Sequence, residues 1–324
     1  MMKGTVNLCV KRLLLTGVLM LFVMRFIAVE ECLGQRRGSD MRFGVWWWSV
    51  DNLADLSYLD FAKEQGITEI YLNQHHLSVV NPNGIFGPIG TAEVVIPTKE
   101  FIEEASARGI AVYLLLSNTG SWLYEEYRQH FHHIMTGFLA YQQLVHEDAR
   151  FAGLHFNVEP NQLEKDCGTR FWTEGYATQS RLMQQLIDFA VMATDEYGKF
   201  TTIDWATGFW WQNFTVDYRG EEMPLHQALI LESDTTFVMS FRNTAEGMVE
   251  VARDHLDFAQ EVGKDIFLGA NIASTEGLEI DQFYHLGRAH LDEQLALIYS
   301  LHPYEHIHLV IHEISRWRHW QMER

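Results

Sequence analysis

Basic residues, cysteine and proline are all scarce in this sequence, and each shortage excludes a class of protein. The 324 residues include 24 Lys and Arg against 43 Asp and Glu, which gives a formal net charge of −19. Because nucleic-acid binding needs a basic surface that meets the phosphates, we expect no nucleic-acid partner. The acidic balance also disfavours docking on an anionic membrane surface.

Cysteine usage excludes a disulfide-stapled scaffold, because the chain has only 3 cysteines. Cys9 and Cys32 lie in an N-terminal segment that we interpret as a leader, so Cys167 has no intrachain partner. Stability must therefore come from packing. With 47% hydrophobic residues, 23 Gly and only 6 Pro, the chain is neither collagen-like nor disordered, and its length suits one large domain.

The first 40 residues predict an export signal. Basic residues precede an apolar run at 13–24, and Arg25 interrupts that run. A basic segment followed by a short apolar segment is typical of an export signal, whereas a membrane span needs about 20 apolar residues. We predict a leader at 1–40, a mature domain at 41–324 and a secreted, periplasmic or cell-surface location. The alternatives are an uncleaved membrane anchor and lipidation at Cys32, and these are the only membrane contacts that we expect.

From residue 41 onward, eight short β-rich runs alternate with seven longer segments of helical periodicity. Strand and helix in alternation require parallel strands with right-handed crossovers, and eight such units close into a barrel. Gly66, Gly109, Gly198 and Gly263 each follow a helical segment, as the position after a helix prefers. We therefore predict an α/β fold, a single-domain (β/α)8 TIM barrel. The predicted strands are 42–48, 68–74, 110–116, 152–159, 200–205, 235–241, 265–271 and 307–313, and the predicted helices are 52–65, 97–108, 121–147, 173–197, 223–231, 244–262 and 280–300.

Polar residues follow most of the predicted strands, and the fourth strand gives the strongest signal. His155, Asn157 and Glu159 alternate with apolar residues, so all three share one face. Buried parallel strands are normally apolar on both faces, and polar groups inside a barrel are costly unless they are paired or used. Barrel enzymes place their chemistry where the strands end. The pattern predicts a functional Glu159; the alternative is a buried carboxylate that braces neighbouring strands.

The residues 157–160, Asn-Val-Glu-Pro, and the aromatic stretch at 43–48 carry a family resemblance. The sequence resembles glycoside-hydrolase-type (β/α)8 barrels, and it looks like exported glycosidase-like barrels with an acid-x-Glu-Pro signature. The resemblance implies that Glu159 is the acid/base residue. Two positions depart from the family pattern, because Asn157 stands where Asp is frequent and Asn271 ends the seventh strand, where a nucleophile-type glutamate is expected.

Glycoside cleavage requires a second carboxylate besides the proton donor. Burial beside aromatic side chains raises a carboxyl pKa, which suits Glu159 as the protonated acid. The resemblance favours Glu276, in the loop after the seventh strand, as the second group. Asp204, at the predicted end of the fifth strand, and Glu313, at the end of the eighth, are the alternatives.

Most of the 10 tryptophans lie at or just beyond predicted strand ends. Indole faces pack against the apolar faces of sugar rings, so this clustering predicts a carbohydrate ligand. The predicted substrate-binding residues are Trp46, Trp48, Asn73, His75, Asn118, Asn157, Trp205, Arg242, Asn271 and His312.

Histidine is abundant, but its placement argues against a metal centre. The first strand lacks the His-x-His of metal-dependent barrel hydrolases, while His306 and His308 begin the eighth strand, at the wrong end for the mouth. We expect no metal and no cofactor, with a metal-dependent hydrolase as a lesser alternative. The sequence predicts an acid/base glycoside hydrolase acting on a sugar, oligosaccharide or polysaccharide. The main alternative is a non-catalytic carbohydrate-binding barrel, which Asn157 and Asn271 favour.

Overall fold

A computed structural model describes residues 42–48, 53–73, 92–166, 168–273, 279–301 and 304–322. Eight parallel strands form a closed barrel in which each strand pairs with the next along the chain and the last pairs with the first. The barrel strands β1 to β8 are Phe43–Trp47, Glu69–Asn73, Ala111–Asn118, Gly153–Val158, Thr202–Gly208, Thr235–Met239, Asp265–Asn271 and Ile307–His312. The helices α1 to α8 are Ser57–Glu64, Ala92–Ala107, Glu125–Leu144, Tyr176–Tyr197, Leu225–Glu232, Ala245–Val262, Arg288–Leu301 and Ile314–Met322.

The predicted single-domain (β/α)8 barrel is confirmed, and each predicted strand overlaps one barrel strand. The structure adds α8, and it adds two antiparallel hairpins in the loops after β4 and β5. Gly66, Gly109 and Gly263 have the positive φ expected after a helix, with values of 74°, 76° and 68°. Gly198 differs, because its φ of −58° is helical.

The predicted leader at 1–40 and Cys167 lie outside the described residues. Within the described ranges, no helix is both long and apolar enough to cross a membrane.

The outer core fills the space between the strands and the helices. Leu154, Phe156 and Val158 of β4 point into it and are at most 1% exposed. Trp205 of β5 stacks on Phe156 with ring centroids 4.6 Å apart, and Phe189 of α4 covers both rings. Burial of these rings supplies a large apolar contribution to the stability of the barrel.

A charged cluster closes the N-terminal end of the barrel. The Arg42 guanidinium pairs with Glu69 and donates to Asp265 Oδ2 at 3.1 Å and Thr235 Oγ1 at 3.0 Å. These residues begin β2, β7 and β6, so one cation ties three strands together. Because the arginine has carboxylate partners on both sides, its burial is compensated.

Aromatic rings fill the middle of the barrel above this cluster. Phe237 and Phe267 stack with centroids 4.3 Å apart, and Tyr71 packs against Phe237 at 4.8 Å. Gly153, the first residue of β4, packs closely against β5, since a Cβ there would lie 1.9 Å from Thr202 Oγ1. With the lower and middle layers filled in this way, the C-terminal end of the barrel is the place for a ligand.

Candidate functional site

Polar side chains from five strands converge at the C-terminal end of the barrel, which we call the mouth. Because strand side chains alternate in direction, the residues that share the inward face of Tyr71, Leu115, His155, Phe267 and Val310 reach the mouth at the strand ends. Adjacent strands hold them at matching levels, since Ser117 pairs with Asn157 and Asn271 pairs with His312 in the register. The inward polar residues of the mouth are Asn73, Ser117, Asn157, Glu159, Asn271 and His312.

Glu159 lies at the rim of the mouth directly after β4, and its side chain is half-buried. Its main-chain N–H donates to Asn118 O at 2.9 Å, and its Oε1 accepts from Asn157 Nδ2 at 3.0 Å. Within the described ranges the Glu159 carboxylate forms no ion pair, and its side-chain partner is on its own strand. Among the described residues, the Glu159 carboxylate therefore links no neighbouring strand.

Asn157 is only 6% exposed, and it fixes one oxygen of the Glu159 carboxylate. Its Oδ1 is buried without a hydrogen-bond partner among the described residues. A buried acceptor without a donor is costly, so this oxygen is a place where a ligand donor can add a hydrogen bond.

Trp46 forms the floor of the mouth. Its indole crosses the barrel, because Nε1 donates to His155 Nε2 at 2.9 Å while Cη2 lies 3.2 Å from the position that a Cβ would take at Gly269. Burial lowers the pKa of His155 to about 3, so its ring is neutral and can accept this hydrogen bond. The predicted inward direction of His155 is confirmed, and the side chain holds Trp46 in place.

His312 stands beside this floor at the end of β8. Its Nδ1 lies 3.3 Å from Asn271 Oδ1, and the rings of Trp48 and Phe241 lie 6.1 and 5.7 Å away. Burial, together with the charge of Arg316, lowers the pKa of His312 to about 4. A neutral imidazole that donates from Nδ1 to the amide has Nε2 left as an acceptor for a ligand hydroxyl.

The structure places Asp204 and Trp205 away from the mouth, and the predicted end of the fifth strand is wrong. That strand continues to Gly208, so Asp204 lies in its lower half, paired in register with His155 and Thr235. Asp204 is 1% exposed, and burial raises its pKa well above the usual range. Trp205 points into the outer core and is fully buried there.

Two further predicted substrate-binding residues are engaged by loop residues, Asn118 by its own loop and Arg242 by the segment after β7. The Asn118 Oδ1 accepts from the N–H groups of Gly120 and Trp122, at 2.7 and 3.3 Å, and so closes the turn after β3. Arg242 donates to Asp281 Oδ1 at 2.7 Å. Residues 117 and 118 both belong to β3, and side chains alternate in direction along a strand. Because Ser117 points inward, Asn118 faces away from the mouth.

Glu313 is also occupied structurally. Its carboxylate accepts from Arg316 N at 2.9 Å and Ser315 N at 3.3 Å, so it caps the first turn of α8. Burial raises the pKa of Glu313. Glu276 and His75 lie outside the described residues.

Phe241 is a mouth residue that sequence reasoning missed. Its ring lies edge-on to Trp46 at 6.5 Å and faces His312 at 5.7 Å. The signal was present in the alternation, because positions 237, 239 and 241 share one face.

Within the described ranges no group of three or more His, Cys, Asp or Glu converges to hold a metal ion.

Comparison with known proteins supports the fold assignment. No protein-family model matches the chain, and no curated protein sequence matches it either. Among solved structures, the chain is similar to a chitinase from Bacteroides thetaiotaomicron, with 13% identity and a TM-score of 0.52 over 85% of this chain and 90% of the chitinase. It is also similar to a GH5-4 broad-specificity endoglucanase from Clostridium longisporum, with 12% identity and a TM-score of 0.50 over 83% of this chain and 77% of that one.

A third similar structure is the GH1 β-glucosidase from Exiguobacterium antarcticum, with 10% identity and a TM-score of 0.50 over 85% of this chain and 88% of that one. At such low identities the likeness is one of fold. The chain therefore has the (β/α)8 barrel that glycoside hydrolases use, and the resemblance stated from sequence is confirmed at the level of the fold.

Proposed function

We propose that this protein is a glycoside hydrolase in which Glu159 is the proton donor. The observation that carries the proposal is a half-buried carboxylate at the barrel rim that is hydrogen-bonded to a buried amide and, within the described residues, forms no ion pair. The fold is shared with a chitinase, an endoglucanase and a β-glucosidase, which supports carbohydrate as the substrate class.

The contacts support the following roles for the mouth residues. Asn157 holds Glu159 Oε1, so Oε2 is the oxygen that can carry a proton to the glycosidic oxygen. Trp46, which is only 2% exposed, closes the barrel below the mouth, while His312 and Asn271 present polar atoms to hydroxyl groups. For the second carboxylate we propose Glu276, because the loop after β7 leaves the barrel at the mouth end, whereas Asp204 lies too deep.

The test is Glu159→Gln, which keeps the shape of the side chain and removes the acid. We expect kcat on aryl glycosides and oligosaccharides to fall by about 10²–10⁴-fold, with ligand affinity and thermal unfolding unchanged. Glu164→Gln is the matched control, because Glu164 is an exposed glutamate in the hairpin of the same loop. Wild-type turnover by the Glu159→Gln variant would reject the assignment.

A second candidate function is carbohydrate binding without cleavage. The observation in its favour is that the described part of the mouth carries the amides Asn73, Asn157 and Asn271, one of which, Asn157, contacts Glu159. Calorimetric titration of the wild-type chain with oligosaccharides, combined with a reducing-end assay, separates the two functions. Binding with no new reducing ends would support the binding protein.

We also propose that the chain is exported. The basic and apolar pattern of residues 1–40 supports this proposal. Expression of the full chain followed by N-terminal sequencing of the extracytoplasmic fraction tests it. A mature N-terminus within residues 30–42 is expected, and retention of the intact chain in the cytoplasm would contradict it.

A further inference from the structure

A row of aromatic rings lies on the loops that follow β4 and β5. The Trp172 and Trp210 rings meet at a centroid distance of 5.2 Å, and Phe214 lies 5.6 Å from Trp172. Tyr176 then stacks on Phe214 at 5.7 Å, with the two planes only 11° apart. We call these four residues, Trp172, Tyr176, Trp210 and Phe214, the aromatic ledge.

The outer members of the ledge are accessible to solvent. Tyr176 is 64% exposed, Trp172 and Trp210 are half-buried, and Phe214 is buried beneath them. Within the described residues, Trp172 and Trp210 form hydrogen bonds through their main-chain carbonyls, and neither indole N–H is buried or paired. Exposed aromatic rings grouped in this way mark binding surfaces more often than isolated ones do.

The ledge begins where the mouth ends. A Cβ at Gly208, the last residue of β5, would lie 3.1 Å from Trp210 Nε1, so the loop folds back over the strand end. Phe209, the residue before Trp210, lies 4.7 Å beneath the Arg242 guanidinium. Arg242 directly follows Phe241, which contacts the Trp46 floor. The loop that carries Trp172 likewise begins at Glu159.

The chemistry of the ledge fits an uncharged sugar chain. Flat apolar rings with N–H edges match pyranose rings, which present apolar C–H faces and hydroxyl edges. Two cations near the ledge are paired, Lys165 with Glu174 at 2.6 Å and Arg242 with Asp281 at 2.7 Å. The net charge of −19 disfavours an anionic polymer.

We propose that the aromatic ledge binds the outer sugar units of a neutral polysaccharide or long oligosaccharide whose reacting unit lies in the mouth. The proposal rests on the proposed function, because the mouth must accept the adjoining sugar. It assigns long, uncharged glycans as the substrate class, and it gives Trp172 and Tyr176 a binding role.

The experiment compares ligands of different length in the Glu159→Gln background, where turnover does not interfere. Trp172→Ala combined with Tyr176→Ala is expected to weaken binding of hexasaccharides from cellulose, chitin or xylan by about tenfold or more, with disaccharide binding unchanged. Trp172→Phe with Tyr176→Phe keeps two rings and should retain most of the affinity. Phe200→Ala is the matched control, since Phe200 is 60% exposed but precedes β5 at the opposite end of the barrel.

The outcomes separate this proposal from the proposed function. Equal losses for short and long ligands, no loss at all, or no binding of any neutral glycan would overturn the ledge as a binding platform. Length-dependent binding without cleavage by the wild-type chain would support the ledge and reject hydrolysis. Hydrolysis of polymers at the wild-type rate by the ledge variants would support hydrolysis and reject the ledge.

Discussion

One hydrogen bond fixes the floor of the mouth. Trp46 Nε1 donates to His155 Nε2 at 2.9 Å, and both side chains are at most 2% exposed. Burial keeps His155 neutral, with its pKa lowered to about 3, so the acceptor is present throughout the physiological pH range. The orientation of the Trp46 indole therefore depends on a fully buried residue of another strand.

His155→Leu should leave the Trp46 N–H buried without an acceptor, which destabilises the fold by about 1–3 kcal/mol. Urea denaturation at neutral pH measures this change. His155→Gln is the control, because its side-chain oxygen can accept the same hydrogen bond and should restore part of the loss. Equal stability of the leucine variant and the wild type would show that the hydrogen bond contributes nothing.

Individual site residues were predictable only where alternation was unambiguous. His155, Asn157 and Glu159 share one face of a strand whose other face is wholly apolar, and the structure places that face inward. Ser117 and Asn118 could not be distinguished in this way. Which of two adjacent residues points inward depends on the phase of the strand, and the sequence leaves that phase open when both residues are polar.

At the scale of strands, β7 is shaped to admit the Trp46 ring. A Cβ at Gly269 would lie 3.1 Å from Val238 O, 3.2 Å from Trp46 Cη2 and 3.3 Å from Phe241 Cε1. Each of these distances is shorter than an ordinary van der Waals contact. The small residue in the strand therefore makes room for an aromatic floor supplied by β1, which β8 separates from β7.

Gly269→Ala should destabilise the protein by about 1–3 kcal/mol, because the added methyl group overpacks this junction. The measurement is a double-mutant cycle in chemical denaturation with Trp46→Phe. The smaller ring should relieve part of the strain, so the cost of Gly269→Ala should be lower in the Trp46→Phe background. Identical costs in both backgrounds would show that the indole does not depend on this glycine.

Strand ends explain the positional error at Asp204. The sequence Ala206, Thr207 and Gly208 has the small and polar residues of a loop, yet the structure pairs it with β6 through Met239. Because the strand continues to Gly208, Asp204 lies in its N-terminal half and not at its C-terminal end. Boundaries are set by pairing with the neighbouring strand, and a single strand does not encode that pairing.

At the scale of the whole molecule, buried histidines couple stability to pH. His226 and His255 lie between α5 and α6 with ring centroids 4.7 Å apart, and within the described residues none of their four ring nitrogens has a hydrogen-bond partner. Burial lowers the pKa of both, and their mutual repulsion lowers that of His255 further. Both rings therefore take up a proton less readily in the folded protein than in the unfolded chain.

The direction in which stability changes with pH follows from proton uptake on unfolding. Below a pH of about 6.5 the unfolded chain protonates these histidines more than the folded chain does, so stability falls with falling pH, by at most about 1.4 kcal/mol per pH unit for each histidine. Asp204 acts in the opposite sense, because its raised pKa favours the folded state as the pH falls. A comparison with a variant is therefore needed to isolate the pair.

The variant that replaces the pair, His226→Leu with His255→Phe, should lose less stability between pH 7 and pH 5 than the wild type. Urea denaturation at several pH values measures the difference in slope. His133→Gln is the control, because His133 is exposed on α3. Parallel pH profiles for the wild type and the double variant would contradict the prediction.

The sequence alone determined the architecture and the strand that carries Glu159. Eight alternating β and α segments admit few topologies, and period-two alternation is local, so both can be read along the chain. The tertiary structure decided which strand ends meet at the mouth, which polar groups are already used by loops and caps, and that Trp46 crosses the barrel to His155 and Gly269. Those facts depend on strand pairing and on contacts between residues more than 100 positions apart, which no local pattern specifies.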